Sequence, residues 1–106
     1  MNSRQKGRRT EKMCEKKLLE LGYLVYLVPP PRKFNKNNDI FHLWDILCSK
    51  ETEHFPILIQ VKTNYTGGCV QYRKFQENFP GYRCQLWNWK SRQGWFIKDF
   101  KEVQDG

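Results

Sequence analysis

The chain has 106 residues, enough for one hydrophobic core and not for two. Its 19 lysines and arginines against 11 acids give a formal net charge of +8, which favours a polyanionic partner: DNA, RNA or an anionic membrane surface. No apolar run approaches the ~20 residues that span a bilayer, and no apolar leader core follows the N-terminal charges. The chain therefore reads as soluble and intracellular.

Residues 1–9 carry Arg4, Lys6, Arg8 and Arg9 without an acid, and read as a basic flexible tail before a single domain over 10–106. Arg8 and Arg9 abut a helix start and are candidates for phosphate contacts. Thr10 is the expected N-cap, with Glu11 in the first turn and Gly22 as the C′ residue after a helix to about Leu21. Cys14, Leu18 and Leu21 follow the i, i+4, i+7 spacing of a buried face. Glu11 lies within that arc, where it can either favour the helix dipole or look over the sheet end.

Residues 23–28 are aromatic and β-branched, the pattern of a strand covered on both faces. Pro29, Pro30 and Pro31 end it. The following loop sets Arg32, Lys33 and Lys36 around Phe34, as a mobile basic loop gripping a DNA backbone would. Asp39 follows Asn37 and Asn38, which is turn chemistry. Asp39-Ile40 repeats the pair Asp45-Ile46, so Asp39 is the second choice after Asp45 for the metal-binding aspartate, or else an outer-shell residue or a turn cap; His42 reads as a neighbour of the site or a surface residue.

Residues 43–48 and 57–62 are two strand-like apolar runs joined by a turn. Asp45 is embedded in the first, where an acid is costly without a partner. Gln60 and Lys62 end the second on one face, above Leu58. Pairing the runs antiparallel with Leu47 opposite Leu58 sets Asp45 opposite Gln60. A carboxylate, an amide oxygen and an ammonium then converge, and such a group can hold a divalent cation.

Beyond Lys62, Gly67-Gly68 reads as a hinge. A short helix follows with Val70, Phe75 and Phe79 inward and Arg73 and Lys74 outward, stopped by Pro80-Gly81. Residues 84–90 and 95–100 read as strands around a turn at 91–94, with Trp87, Trp89 and Trp95 covering the core or a dimer surface. The expected order is α-β-β-β-α-β-β. Cys14, Cys48, Cys69 and Cys84, even with His42 and His54, form no zinc spacing.

Asp45, fourteen residues, and then Gln60-Val61-Lys62 resembles the motif of the PD-(D/E)XK nuclease superfamily. Within it, residues 7–63 look most like the small archaeal Holliday-junction resolvases and related phage nucleases. That resemblance implies an α/β (α+β) fold: a restriction-endonuclease-like α-β-β-β-α-β core, its mixed sheet flanked by helices. It implies a Mg²⁺-dependent DNA endonuclease, with Mn²⁺ able to substitute. Asp45, Gln60, Glu11 and the Val61 carbonyl would hold the ion, and Lys62 would sit at the scissile phosphate. Glu11 matches the family's early-helix glutamate. Arg8, Arg9, Arg32, Lys33 and Lys36 would bind DNA, and cutting two symmetric strands of branched DNA implies a homodimer. The sequence departs from the pattern at Trp44, where proline is frequent, and at Gln60, where an acid is usual. The second departure points to the alternative of a non-cleaving nucleic-acid-binding module on the same fold. A third reading is a structural protein of a phage or chromosome particle.

Overall fold

The computed structural model describes residues 3–30 and 38–101. Its elements are α1 (Ser3–Glu20), β1 (Leu24–Leu27), β2 (Ile46–Ser49), β3 (Ile57–Thr63), α2 (Val70–Asn78), β4 (Arg83–Lys90) and β5 (Gly94–Asp99), in the expected order. The strands form one sheet in the order β1-β2-β3-β4-β5. Only β3 and β4 run parallel; the other neighbours are antiparallel. A parallel step needs a crossover, and α2 supplies it. The result is an α+β fold with a mixed sheet and two helices.

β3 is the central strand, and Ile57 to Val61 are buried along it. A continuous apolar run is what a strand covered on both faces requires. Towards α1, Ile57, Ile59 and Val61 pack with Cys14, Leu18, Ile46, Cys48 and Trp87. Towards α2, Leu58 packs with Trp44, Tyr72, Cys84 and Leu86. Each fully buried Ile or Leu contributes about 1.5–3 kcal/mol, so the β3 alternation ties both layers to one strand. Gln76 fastens the second layer: its amide donates to the Tyr82 carbonyl (2.7 Å), and its oxygen accepts from the Cys84 N–H (2.8 Å). The four cysteines are free and buried. Burial pushes the Cys48 and Cys84 thiols up to about 12, so they act as small apolar packing groups.

Four local expectations are corrected. First, α1 starts at Ser3, so residues 3–9 are helical and Thr10 is not an N-cap. Lys, Arg and Gln are good helix formers, and nothing but Gly7 interrupts them. Thr10 is buried, its hydroxyl 2.7 Å from that of Thr63 at the end of β3. Second, Leu21 is exposed rather than part of the buried face. The helix ends there in a Schellman turn: Tyr23 N–H bonds Leu18 C=O, Gly22 N–H bonds Leu19 C=O, and Gly22 takes φ +93°.

Third, β1 is an edge strand covered on one face. Val25 and Leu27 pack on the α1-side core, while Leu24 is 80% exposed and Tyr26 55%. Fourth, the inward arc of α2 is Tyr72, Phe75 and Gln76, an i, i+3, i+4 set; Val70 and Phe79 are exposed. Arg73 and Lys74 do face outward. Trp87 is buried and Trp95 packs against both Trp87 and Trp89, so the hairpin rings serve mainly as core. Among the described residues no helix is long and apolar enough to cross a membrane.

Candidate active site

β2 and β3 pair with Leu47 opposite Leu58, the register expected from side-chain alternation. One residue before β2 the ladder opens. Asp45 N–H still donates to the Ile59 carbonyl (2.9 Å), and the Asp45 carbonyl accepts from Val28 N–H (2.9 Å). The next β3 amide, Val61 N–H, is taken instead by Asp45 Oδ2 at 2.9 Å. The carboxylate therefore fills the fork where the two strands part, and it is buried there. Burial is the main force pushing its carboxyl up to about 7; the Val61 N–H opposes, Glu11 and Asp39 push further up, and Lys62 opposes.

Asp39 reaches the same place through a tight turn. Leu43 N–H bonds the Ile40 carbonyl (3.1 Å), with Phe41 and His42 both left-handed at φ 54° and 60°. This is a type I′ turn built without glycine, and each such residue costs ~1–2 kcal/mol. Ile40 and Trp44 bridge across its base. The turn brings Asp39 within electrostatic reach of Asp45. Burial raises the Asp39 carboxyl, while Asp45, Lys62 and His42 oppose.

Glu11 approaches from α1. Burial raises its carboxyl, Arg8 counters, and Asp39 adds to the rise. The Arg8 Nη1 is 3.2 Å from Glu11 Oε1 and donates to the Val28 carbonyl at 2.7 Å. Lys62, half-buried, sits with its Nζ 5.2 Å from the Tyr65 ring centroid and attracts both aspartates. Gln60 is buried, and its Oε1 accepts no hydrogen bond from the described residues.

The chain itself has no matching family model and no matching curated protein. Among solved structures it is similar to Archaeoglobus fulgidus Hjc, a Holliday junction resolvase from an archaeal hyperthermophile. The match covers 91% of this chain and 74% of that one, with a TM-score of 0.63 and 18% identity. The fold is that of a resolvase-like nuclease.

Glu11 and Lys62 are thus each brought within electrostatic reach of Asp45, and Val61 contributes the N–H that fixes Asp45. Gln60 lies next along β3, on the face of Leu58 and opposite Asp45 when the register is continued. Among the described residues no three carboxylate, imidazole or thiolate groups form a ready metal cage. The residues nevertheless fit a hard cation. The donors are all oxygens, and an unfilled buried amide oxygen of the Gln60 kind costs ~1–3 kcal/mol. Arg8 is engaged in holding Glu11 and the end of β1; Arg9 is exposed. Arg32, Lys33 and Lys36 lie outside the described residues.

Asp39, the second choice that the repeated Asp-Ile pair offers, lies beside Asp45 rather than in its place. Lys12 and Lys16 line an open concavity on α1 with Arg8, Arg9 and Met13, and their i, i+4 spacing was legible.

Proposed function

We propose that the protein is a Mg²⁺-dependent DNA endonuclease of the PD-(D/E)XK type, acting on branched DNA as a homodimer. The observation that carries this is the Asp45 carboxylate held in the β2–β3 fork by Val61 N–H, with Lys62 and the unfilled Gln60 oxygen beside it. The likeness in fold to a Holliday junction resolvase supports the substrate class.

Asp45 and Gln60 would hold the ion, with the Val61 carbonyl and Glu11 completing the set, and Mn²⁺ able to replace Mg²⁺. When bound, the ion supplies an acidified water and neutralises charge on the phosphate. Val61 N–H keeps one Asp45 oxygen directed along β3, leaving the other for the ion. Asp39 adds negative charge beside Asp45, charge that a bound cation would neutralise. Lys62, drawn by both aspartates, is the cation that stabilises charge growing on the scissile phosphate. Arg9, Arg32, Lys33 and Lys36 supply grip on the backbone.

Gln60 removes one charge from the family's usual site, and this favours a second reading: a binding module on the nuclease fold that does not cut. Plasmid nicking with Mg²⁺, Mn²⁺ or EDTA separates the two. Metal-dependent nicking is expected, with a loss of at least ~100-fold in Asp45→Asn and Lys62→Ala and DNA binding within a few-fold of wild type. A folded Asp45→Asn protein that nicks at the wild-type rate would sink the site. Light scattering should give a dimer, as two symmetric cuts require. A stable monomer that binds linear and branched DNA equally would leave a general nuclease.

A further inference from the structure

A second concavity opens on the sheet face that carries Gln60 and Lys62. On β4, Leu86 lies opposite Gln60 and Asn88 opposite Lys62. On β5, Phe96 lies opposite Asn88 and Lys98 opposite Leu86. Leu86, Asn88, Phe96 and Lys98, with Tyr65 and Lys90, bound a groove of about 310 Å³. That is near the lower end of small-ligand sites, a size suited to one nucleoside.

The groove is rigidly walled. Asn88, buried, takes the Tyr65 N–H (3.0 Å) and donates to the Tyr65 carbonyl (2.9 Å). The Tyr65 hydroxyl donates to the Gly68 carbonyl at 2.7 Å. Tyr65 is therefore pinned at backbone and ring tip, and it is shared with the candidate active site through Lys62. On the far side Phe96 is 46% exposed, with the Lys90 ammonium 4.3 Å from its ring centroid. Lys90 and Lys98 both line the groove, and among the described residues no carboxylate does. Two rings with an ammonium at each end match a base with its flanking phosphates.

We infer that this groove receives an unpaired nucleotide of the DNA substrate, its base against Tyr65 and Phe96 and its flanking phosphates at Lys90 and Lys98. β3 and β5 are two strand spacings apart, about 10 Å, so the nucleotide would lie on the order of one or two positions from the phosphate at Lys62. The inference rests on the nuclease reading and adds the substrate feature selected. A fully paired duplex offers no free base face, whereas a flap, gap or bubble does. A second copy of the chain is the less fitting occupant. A two-fold contact lays the patch upon itself, setting Lys90 and Lys98 near their own copies with no acid in the groove to offset them.

The test uses the full chain with Ca²⁺ in place of Mg²⁺, and DNA carrying 2-aminopurine either in an unpaired position or within a paired duplex. Wild type should quench the unpaired probe and bind that DNA about tenfold more tightly than the duplex, the size expected for one stacked base. Phe96→Ala and Lys98→Ala should each erase most of that preference, with duplex affinity within about twofold and an unchanged circular dichroism spectrum. Quenching and preference that survive in both variants would overturn the inference. So would light scattering that shows a wild-type dimer split by Phe96→Ala, which would give the groove to a second copy. A wild type that cuts DNA without any such preference overturns the groove alone; one that neither binds nor cuts DNA overturns the nuclease reading as well.

Discussion

Asp45 is the residue whose position costs most. Its carboxyl is raised from 3.8 to about 7, chiefly by burial. Below 3.8 both folded and unfolded chains are protonated, and the group contributes nothing. From there to about 7 the unfolded chain ionises while the folded one keeps its proton, so stability falls as pH rises through that window. Each pKa unit is worth about 1.4 kcal/mol, so the full penalty approaches ~4 kcal/mol above pH 7 in the metal-free protein. An asparagine can accept the Val61 N–H without carrying charge. Asp45→Asn should therefore melt at least ~4 °C above wild type at pH 8 in EDTA, and the two should converge at pH 4. Differential scanning calorimetry reads this directly. Added Mg²⁺ should raise the wild-type melting temperature and leave the variant unmoved. A variant less stable than wild type at pH 8 would mean that the buried charge is not what strains the site.

Gln60 gives the complementary expectation. Its oxygen is buried without a donor, so the position suits a ligand. A carboxylate there would add charge for a hard cation. Gln60→Glu should hold or raise Mg²⁺ affinity in calorimetry, and weaker binding would remove residue 60 from the ligand set. Asp45 and Gln60 were legible in sequence because both rest on one property of strands, the alternation of faces. Once Leu47 pairs with Leu58, the rest follows. Asp39 was less legible. Beside Asn37 and Asn38 it looks like local turn chemistry. What carries it to Asp45 is a left-handed pair at Phe41 and His42, a conformation that a bulky residue such as phenylalanine rarely takes.

At the scale of elements, that turn is where strain is stored beside the chemistry. Phe41 earns its place through ring contacts with Phe75 and Tyr82. His42 is exposed at φ 60°, and its side chain bears on Asp39 through charge alone among the interactions of the described residues. His42→Gly should stabilise the fold by ~0.5–1 kcal/mol in urea titration, since glycine takes φ > 0 without penalty. A loss of stability would show that the imidazole supports Asp39 more than its backbone costs. The start of α1 and the one-sided cover of β1 were not readable for a different reason. Arg, Lys and Gln suit a tail or a helix equally, and an edge strand is defined by its neighbours rather than by its own residues.

Over the whole molecule, the net charge of +8 sets a field as well as a composition. On α1, Arg9, Lys12 and Lys16 fall on one exposed helix face, away from the packed residues Thr10, Cys14 and Leu18. Such a stripe meets phosphates without reading bases, so its contribution should be the same for every DNA shape. The groove at Phe96 should instead act on the difference between shapes. The double variant Lys12→Glu, Lys16→Glu separates these terms. Each phosphate contact contributes about −0.9 to the slope of log K against log salt. The double variant should flatten that slope by roughly 2 for duplex, junction and flap alike, while the preference among them stays at its wild-type value. Gel-shift titrations at several salt concentrations measure both quantities in one series. An unchanged slope would take α1 out of the DNA interface. A slope that changes for branched DNA only would mean that the helix reads the branch itself, and the division of labour between stripe and groove would have to be redrawn.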